Sequence, residues 1–338
     1  NTKITENGIH YRLFPIDFIM GESQFISKNL LIEIDKLRAK NKKIIVHLQT
    51  VHNLMDILVA LKCKNLPLLV QQRGPNMPAS IKYKFKKSIF HFLLSFIDNH
   101  SIKNFDHALC SSYGEYVYLS KLLGTKLTTF TKGSGFNFDS EFEKIDVKAL
   151  KKDLGISTNK PVLLHVGRFN DLKGVPTILD LITDKKNSID FQMIFVGGSK
   201  EDKYYNKIIS TDSLVREHIK HNEVLNYISC SDIILLSTSN KEFLLFSDIP
   251  RTVIESISLN KPVISNLLVH FPGTKEEKSK LGIMAYKKDK IRESIIKIIS
   301  DYKYYSNTRE VAKKYYDWEI IANLNHKIYL ELFKKYYN

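Results

Sequence analysis

Short apolar runs bounded by turn residues alternate with longer helical patterns along nearly the whole chain, an alternation that calls for repeated βα units. A run such as Val162-Leu-Leu-His-Val166 is mostly apolar and does not alternate polar with apolar, as expected of a strand covered on both sides. Strands of that kind build parallel sheets flanked by helices. At 338 residues the chain exceeds one ordinary core, so two domains are expected.

The first series predicts strands near 9–14, 43–48, 67–71, 106–110 and 127–131, with helices near 23–39, 53–63, 79–98 and 113–122. The second predicts strands near 162–166, 192–196, 232–236, 262–265 and 282–285, with helices near 174–183, 201–209, 223–229, 251–259 and 289–302. Between them, the small residues from Lys132 to Ser140 suit a flexible crossing. Past Asp301 the pattern is wholly helical, and the amphipathic segment ending near Tyr337 is expected to pack back across the domain junction.

A formal charge of +15 and a pI near 9.4 point to an anionic partner. Nucleic acid is not favoured, because no motif concentrates basic and aromatic residues in one groove. Cys63, Cys110 and Cys230 are isolated, as in a protein of a reducing cytoplasm. The apolar run from Ser88 to Ile97 falls short of the roughly 20 residues a membrane span needs, so the expected place is cytoplasmic, at most peripheral on the inner face of the plasma membrane. Lys82, Lys84, Lys86 and Lys87 stand beside Phe85, Ile89, Phe92, Leu93 and Phe96 in a basic amphipathic pattern. Its apolar face is expected to cover its own sheet, leaving the lysines to meet an anionic membrane surface.

Two segments carry chemistry. In the first, Gly167 and Arg168 follow a strand and Lys173-Gly174 opens a helix, so two cations and free backbone N–H groups converge at one strand end. A diphosphate is held by that combination. In the second, Asp248 and Pro250 precede a helix that carries Glu255 about one turn in. A carboxylate there can accept two ribose hydroxyls. Neither an Asp-x-Asp motif nor a clustered His/Asp/Glu set offers a metal site.

From about residue 105 to the end the chain resembles the retaining glycosyltransferases of family 4. The matching stretches are Lys132-Gly-Ser-Gly-Phe-Asn137, Val166 to Gly174, Phe195-Val-Gly-Gly198, Val224 to Asp232, Ile249 to Ser256 and Lys261-Pro-Val-Ile264. The resemblance implies an α/β protein of the GT-B fold, with two Rossmann-like doubly wound domains facing a cleft. Residues 1–134 would form the acceptor-side domain and 135–316 the nucleotide-sugar domain, with 317–338 crossing back. It implies that Arg168 and Lys173 hold a donor diphosphate and that Glu255 holds the ribose. Asp248, Ile249, Pro250 and Arg251 would offer backbone N–H groups, while Gly197, Gly198 and Val224 would border the base. The implied reaction moves a sugar from a UDP- or GDP-linked donor to a glycan or lipid-linked acceptor with retention and without a metal. No cofactor is implied, and cell-surface polysaccharide or glycolipid synthesis is the expected setting.

Departures from the family pattern are concentrated where the sugar would sit. Ser247 stands where a second carboxylate is usual, with Glu242 as a substitute, and Arg73 stands where a histidine is usual. His47 and His52 are the remaining candidates near the reacting sugar, whereas His218 and His221 read as surface residues. The family's opening strand, glycine-rich loop, helix and second strand do not precede Ile9 and are expected to exist upstream of Asn1 in the natural protein. Two other readings are open: a nucleotide-sugar 2-epimerase of the same fold, and a binding protein whose catalysis is impaired.

Overall fold

A computed structural model describes residues 2–6, 9–20, 24–72, 78–81, 89–139, 146–184 and 189–338. The chain forms two compact units, one of residues 1–133 with 323–338 and one of residues 134–322.

In the first unit, strands β5 (Val46–Leu48), β6 (Leu68–Gln72), β7 (His107–Cys110) and β8 (Thr128–Phe130) form a parallel sheet in sequence order. Helices Leu54–Lys62 and Tyr113–Leu123 are started by Asn53 and Ser112, whose side chains accept from Asp56 N and Glu115 N. The last helix, Trp318–Tyr337, brings Ile328 and Leu332 against Leu69 and Leu109 of this sheet. Polar contacts fix its end: Lys335 Nζ lies 2.6 Å from Asp106 Oδ1, and Tyr337 Oη donates to Ile44 O at 2.7 Å. The expected return of the C-terminal helix is therefore seen.

Some expectations need correction. The segment Ile9–Leu13 (β2) pairs antiparallel with β1 (Thr2–Glu6) and does not enter the parallel sheet. All of β2 is exposed, so no apolar face draws it under a helix. Gln24–Ile26 (β4) pairs with Phe18–Met20 (β3), which delays the first helix to Lys28–Lys40. Of the helix expected near 79–98, residues 82–88 lie outside the described residues, and the described part runs from Ile89 to Ile102. That helix buries Leu94 against Ile57 and Ala79 but leaves Leu93 and Phe96 exposed, so its apolar face does not simply cover the sheet.

In the second unit, β9 (Val162–Val166), β10 (Gln192–Val196), β11 (Leu214–Arg216), β12 (Ile233–Leu235), β13 (Val263–Ile264) and β14 (Gly282–Ile283) form one parallel sheet. Its spatial order is β11-β10-β9-β12-β13-β14. Counted from β9, the order is that of a dinucleotide-binding sheet, and it reverses between β9 and β12. Strand β11 and the helices Val147–Leu154, Lys241–Phe246 and Lys275–Leu281 were not anticipated, being short or polar enough to read as loop. The segment after Gly133 is no free tether. Phe136 and Phe138 are buried in this unit's core, and Phe136 N donates to Tyr316 O at 2.7 Å. Two parallel sheets flanked by helices, with the last helix packed on the first unit, make this a GT-B fold. Among the described residues no helix is long and apolar enough to cross a membrane.

Candidate functional site

Open parallel sheets bind ligands at their carboxyl edge where strand order reverses, here the ends of β9 and β12. Strand β9 delivers Gly167 and Arg168, and a single turn, Asp171–Lys173, leads to the helix Val175–Ile182. Asn170 shapes that turn by accepting from Lys173 N at 3.2 Å. Asp202 braces it from the loop after β10, accepting from Phe169 N at 2.9 Å and from Ser199 N at 3.1 Å.

Gly174 shows how closely the two loops approach. Its φ of 73° lies in the left-handed region, and a Cβ there would stand 2.0 Å from Ser237 O. Ser237 is itself pinned, its Oγ donating to Ala285 O at 2.5 Å. Gly174→Ala is therefore expected to push the β9 and β12 loops apart, lowering stability by about 2 kcal/mol or more and weakening nucleotide binding. Thermal unfolding and titration calorimetry check this, and wild-type values in both would show that the loops separate freely.

The two cations sit in this frame without carboxylate partners among the described residues. Arg168 is exposed, while the Lys173 stem is half-buried and its Nζ lies 5.3 Å from the centre of the Phe243 ring. Burial, and then the neighbouring Arg168 charge, push the Lys173 ammonium below its ordinary range. A bound anion would relieve both penalties. Beneath them, His165 is fully buried and donates from Nδ1 to Leu235 O at 3.1 Å, joining β9 to β12. Burial pushes its pKa down to about 4, so it is neutral and adds no third charge.

The second segment approaches the same edge. The helix Arg251–Ser258 starts after Pro250, and no side chain caps it. Glu255 is buried, and its Oε1 accepts from Arg251 Nε at 2.8 Å. His221, first residue of the helix His221–Cys230, brings Nε2 to 3.2 Å from the same oxygen, and Arg251 Nη2 lies 3.0 Å from that nitrogen. Burial raises the Glu255 pKa, against the opposing charges of His221 and Arg251. His221 is thus no ordinary surface residue. Thirty positions separate it from Arg251, so no local pattern could reveal the contact.

Other expected residues are placed unevenly. Gly197 lies beside Gly167, since a Cβ on it would stand 3.2 Å from Gly167 O, and half-buried Val224 packs on the core. Ser247 is buried with Oγ donating to the backbone O of Asp248 at 2.9 Å, so its hydroxyl is engaged locally. Asp248 Oδ1 accepts from Ile249 N at 2.7 Å, which occupies an N–H expected to face the ligand, and the Ile249 side chain is core. Glu242 stands in the first turn of the helix Lys241–Phe246, not on a swinging loop. That helix sets Phe243 against Lys173, a pairing the sequence alone does not announce.

In the first unit, His47 Nδ1 lies 2.5 Å from Tyr329 Oη and Nε2 lies 3.1 Å from Gln49 Nε2, so both ring nitrogens are engaged. His52 is fully buried between Asp98 and Glu115, at 2.8 and 3.0 Å, and is a structural ion rather than an open base. Arg73 lies outside the described residues. Among the described residues no group of three or more His, Cys, Asp or Glu is spaced to hold a metal ion.

Residues 146–315 match the model of the glycosyl transferases group 1 family, a span of half the chain that contains both segments. The chain belongs to that family. No curated protein matches the chain. Among solved structures, sucrose-phosphate synthase from Thermosynechococcus elongatus is similar at a TM-score of 0.69 and 17% identity, covering 90% of this chain and 78% of that one. A glycosyltransferase from Rickettsia africae ESF-5 gives 0.64 and 19%, with 90% and 81% covered. HepE of Anabaena, solved in complex with UDP, gives 0.65 and 14%, with 90% and 82% covered. At such identities these structures show the fold alone.

Proposed function

We propose that this glycosyltransferase moves a sugar from a nucleoside diphosphate, UDP- or GDP-linked, to a hydroxyl of a glycan or lipid-linked acceptor with retention of configuration. The observation that carries this reading is the pair Arg168 and Lys173, cations without carboxylate partners among the described residues, at the switch point of the sheet. Both would hold the diphosphate and stabilise the charge that grows on it as the anomeric C–O bond breaks. The acceptor oxygen bonds to that carbon on the same face, and the acceptor proton passes to a phosphate oxygen of the leaving group. Glu255 would accept from the ribose hydroxyls once Arg251 yields its oxygen, with His221 at the rim of the same contact. The UDP-bound HepE structure lends the donor class support by likeness. We place the work in cell-surface polysaccharide or glycolipid synthesis, on the cytoplasmic side, with no metal in the chemistry.

Thermal-shift measurements with UDP, GDP and their sugar conjugates test the reading, because a ligand at a hundredfold excess over Kd adds about 2.7 kcal/mol to the native state. One nucleotide is expected to raise the melting temperature. Glu255→Ala should abolish most of that rise, and His221→Ala should reduce it and raise donor KM with little change in kcat. Melting temperatures unmoved by every nucleotide would overturn the proposal.

A further inference from the structure

A cavity of about 280 Å³ lies in the second unit and includes no residue of either donor segment. Strand β14 is the edge of the sheet there, and the residues that follow it face the helix Lys288–Ser300 across a groove. Ala285 and Ser294 are buried in its floor, with half-buried Ile283 beside them. Lys287 stands at the start of the helix and Lys297 roughly three turns along it, with Lys290 and Glu293 between them.

The ion pairs along this helix single the groove out. Lys288 and Arg292 reach Asp184, which is not part of the groove, at 2.8 and 2.5 Å, and Arg292 also meets Asp289. Lys290 is matched by Glu293 at 2.6 Å. Among the described residues Lys287 and Lys297 have no carboxylate partner, and both line the groove. Lysines beside an edge strand also discourage strand pairing. That role explains Lys287 next to β14, but neither Lys297 on the helix nor a cavity between them.

Two unmatched cations at the ends of a groove with a partly apolar floor suit a small ligand with an anionic group at each end. Ser294 Oγ donates to Lys290 O at 2.6 Å, so its oxygen can still accept from a ligand hydroxyl. We propose that this groove is an effector site for a small bisphosphorylated molecule, with Lys287 and Lys297 each taking one phosphate.

Two contacts tie the groove to the donor loop. Ala285 O accepts from Ser237 Oγ at 2.5 Å, and Ser237 O is the atom that a Cβ on Gly174 would strike. Asp184, which holds Lys288 and Arg292, lies just past the helix Val175–Ile182 that begins after Gly174. A ligand wedged between β14 and the helix Lys288–Ser300 therefore bears on Gly174 from both sides. The binding site stands on its own residues, whereas its effect on donor affinity rests on the donor reading above.

Titration calorimetry of the full chain with fructose 1,6-bisphosphate, without nucleotide, tests the site. The Arg168→Ala, Lys173→Met variant keeps the probe off the donor cations and is expected to bind one equivalent, at millimolar Kd or tighter. Adding Lys287→Gln with Lys297→Gln, both at exposed positions, should weaken that binding roughly tenfold or more, while Lys287→Arg with Lys297→Arg should retain it. Glucose 6-phosphate, with one phosphate, should bind more weakly than the bisphosphate. In the otherwise wild-type chain, the bisphosphate should change nucleotide Kd by about threefold or more, and the glutamine pair should erase the change. No saturable binding to the donor variant, or binding that the glutamine pair leaves unchanged, would overturn the site. Binding with no effect on nucleotide affinity would overturn the coupling. A chain that takes the bisphosphate but no nucleotide would support the site and refute the donor reading instead.

Discussion

Lys173→Met is expected to lower kcat/KM by about 10²- to 10³-fold while leaving the folded state intact. Structural ions are missed by the partner they leave behind, and among the described residues Lys173 has no carboxylate partner. Its neighbour is another cation, Arg168, whose charge together with burial already disfavours the ammonium. Methionine keeps an apolar stem beside Phe243 and removes only the charge. Unfolding free energy should stay within about 0.5 kcal/mol of wild type or rise, as for a substitution that breaks no native pair. Arg168→Ala should cost activity similarly. The double variant should lose less than the product of the two, because both cations act on one diphosphate. Steady-state kinetics with chemical unfolding in parallel check this, and activity within threefold of wild type for Lys173→Met would remove it from the donor site.

His52→Ala should have the opposite signature, a large loss of stability in the first unit. The imidazole is buried with Asp98 at 2.8 Å and Glu115 at 3.0 Å. Among the described residues Asp98 Oδ1 and Glu115 Oε2 make no hydrogen bond of their own, so both acids lean on the His52 cation. Removing one member of a buried ionic group costs about 3–5 kcal/mol because the remaining charge is left uncompensated. Exchange of all three for neutral partners, His52→Gln with Asp98→Asn and Glu115→Gln, should recover much of the loss. Hydrogen exchange in β6 and β7 reads this out, and protection unchanged by His52→Ala would refute it.

The pH dependence of the same group has a definite sign. Burial opposes the imidazolium, but the charges of Asp98 and Glu115 and their hydrogen bonds prevail and raise its pKa to about 10. Unfolded, it titrates near 6.5. Because the folded value is the higher, the His52 contribution is complete below about 6.5 and is lost as pH rises toward 10. Urea midpoints for the first unit should therefore fall between neutral and strongly alkaline pH in the wild type, and less in the triple variant.

Much of the site was legible because its elements are local. A buried strand followed by Gly167-Arg168 and Lys173-Gly174 sets two cations at one strand end within a dozen residues, and Pro250 to Glu255 sets a helix start with a carboxylate on it. What lay beyond reading was long-range. His221 reaches Glu255 and Arg251 through the packing of two helices, and His52 becomes a buried ion only when two distant acids close on it. Phe243 meets Lys173 because residues 241–246 coil into a helix after Asn240 caps it.

The exposed stripe of Ile89–Ile102 teaches the same point from the surface. Apolar residues at helical spacing make the same pattern whether the face they form lies under a sheet or in the open. The sequence by itself determined the repeated βα units and the cations at the end of β9, since each rests on periodicity or on neighbours along the chain. Only the tertiary structure decided that Ser247 turns to its own backbone, that His221 joins Glu255 and that Leu93 and Phe96 face outward. Those outcomes depend on which surfaces meet across the fold, and burial is a property of the packed chain that no local pattern contains.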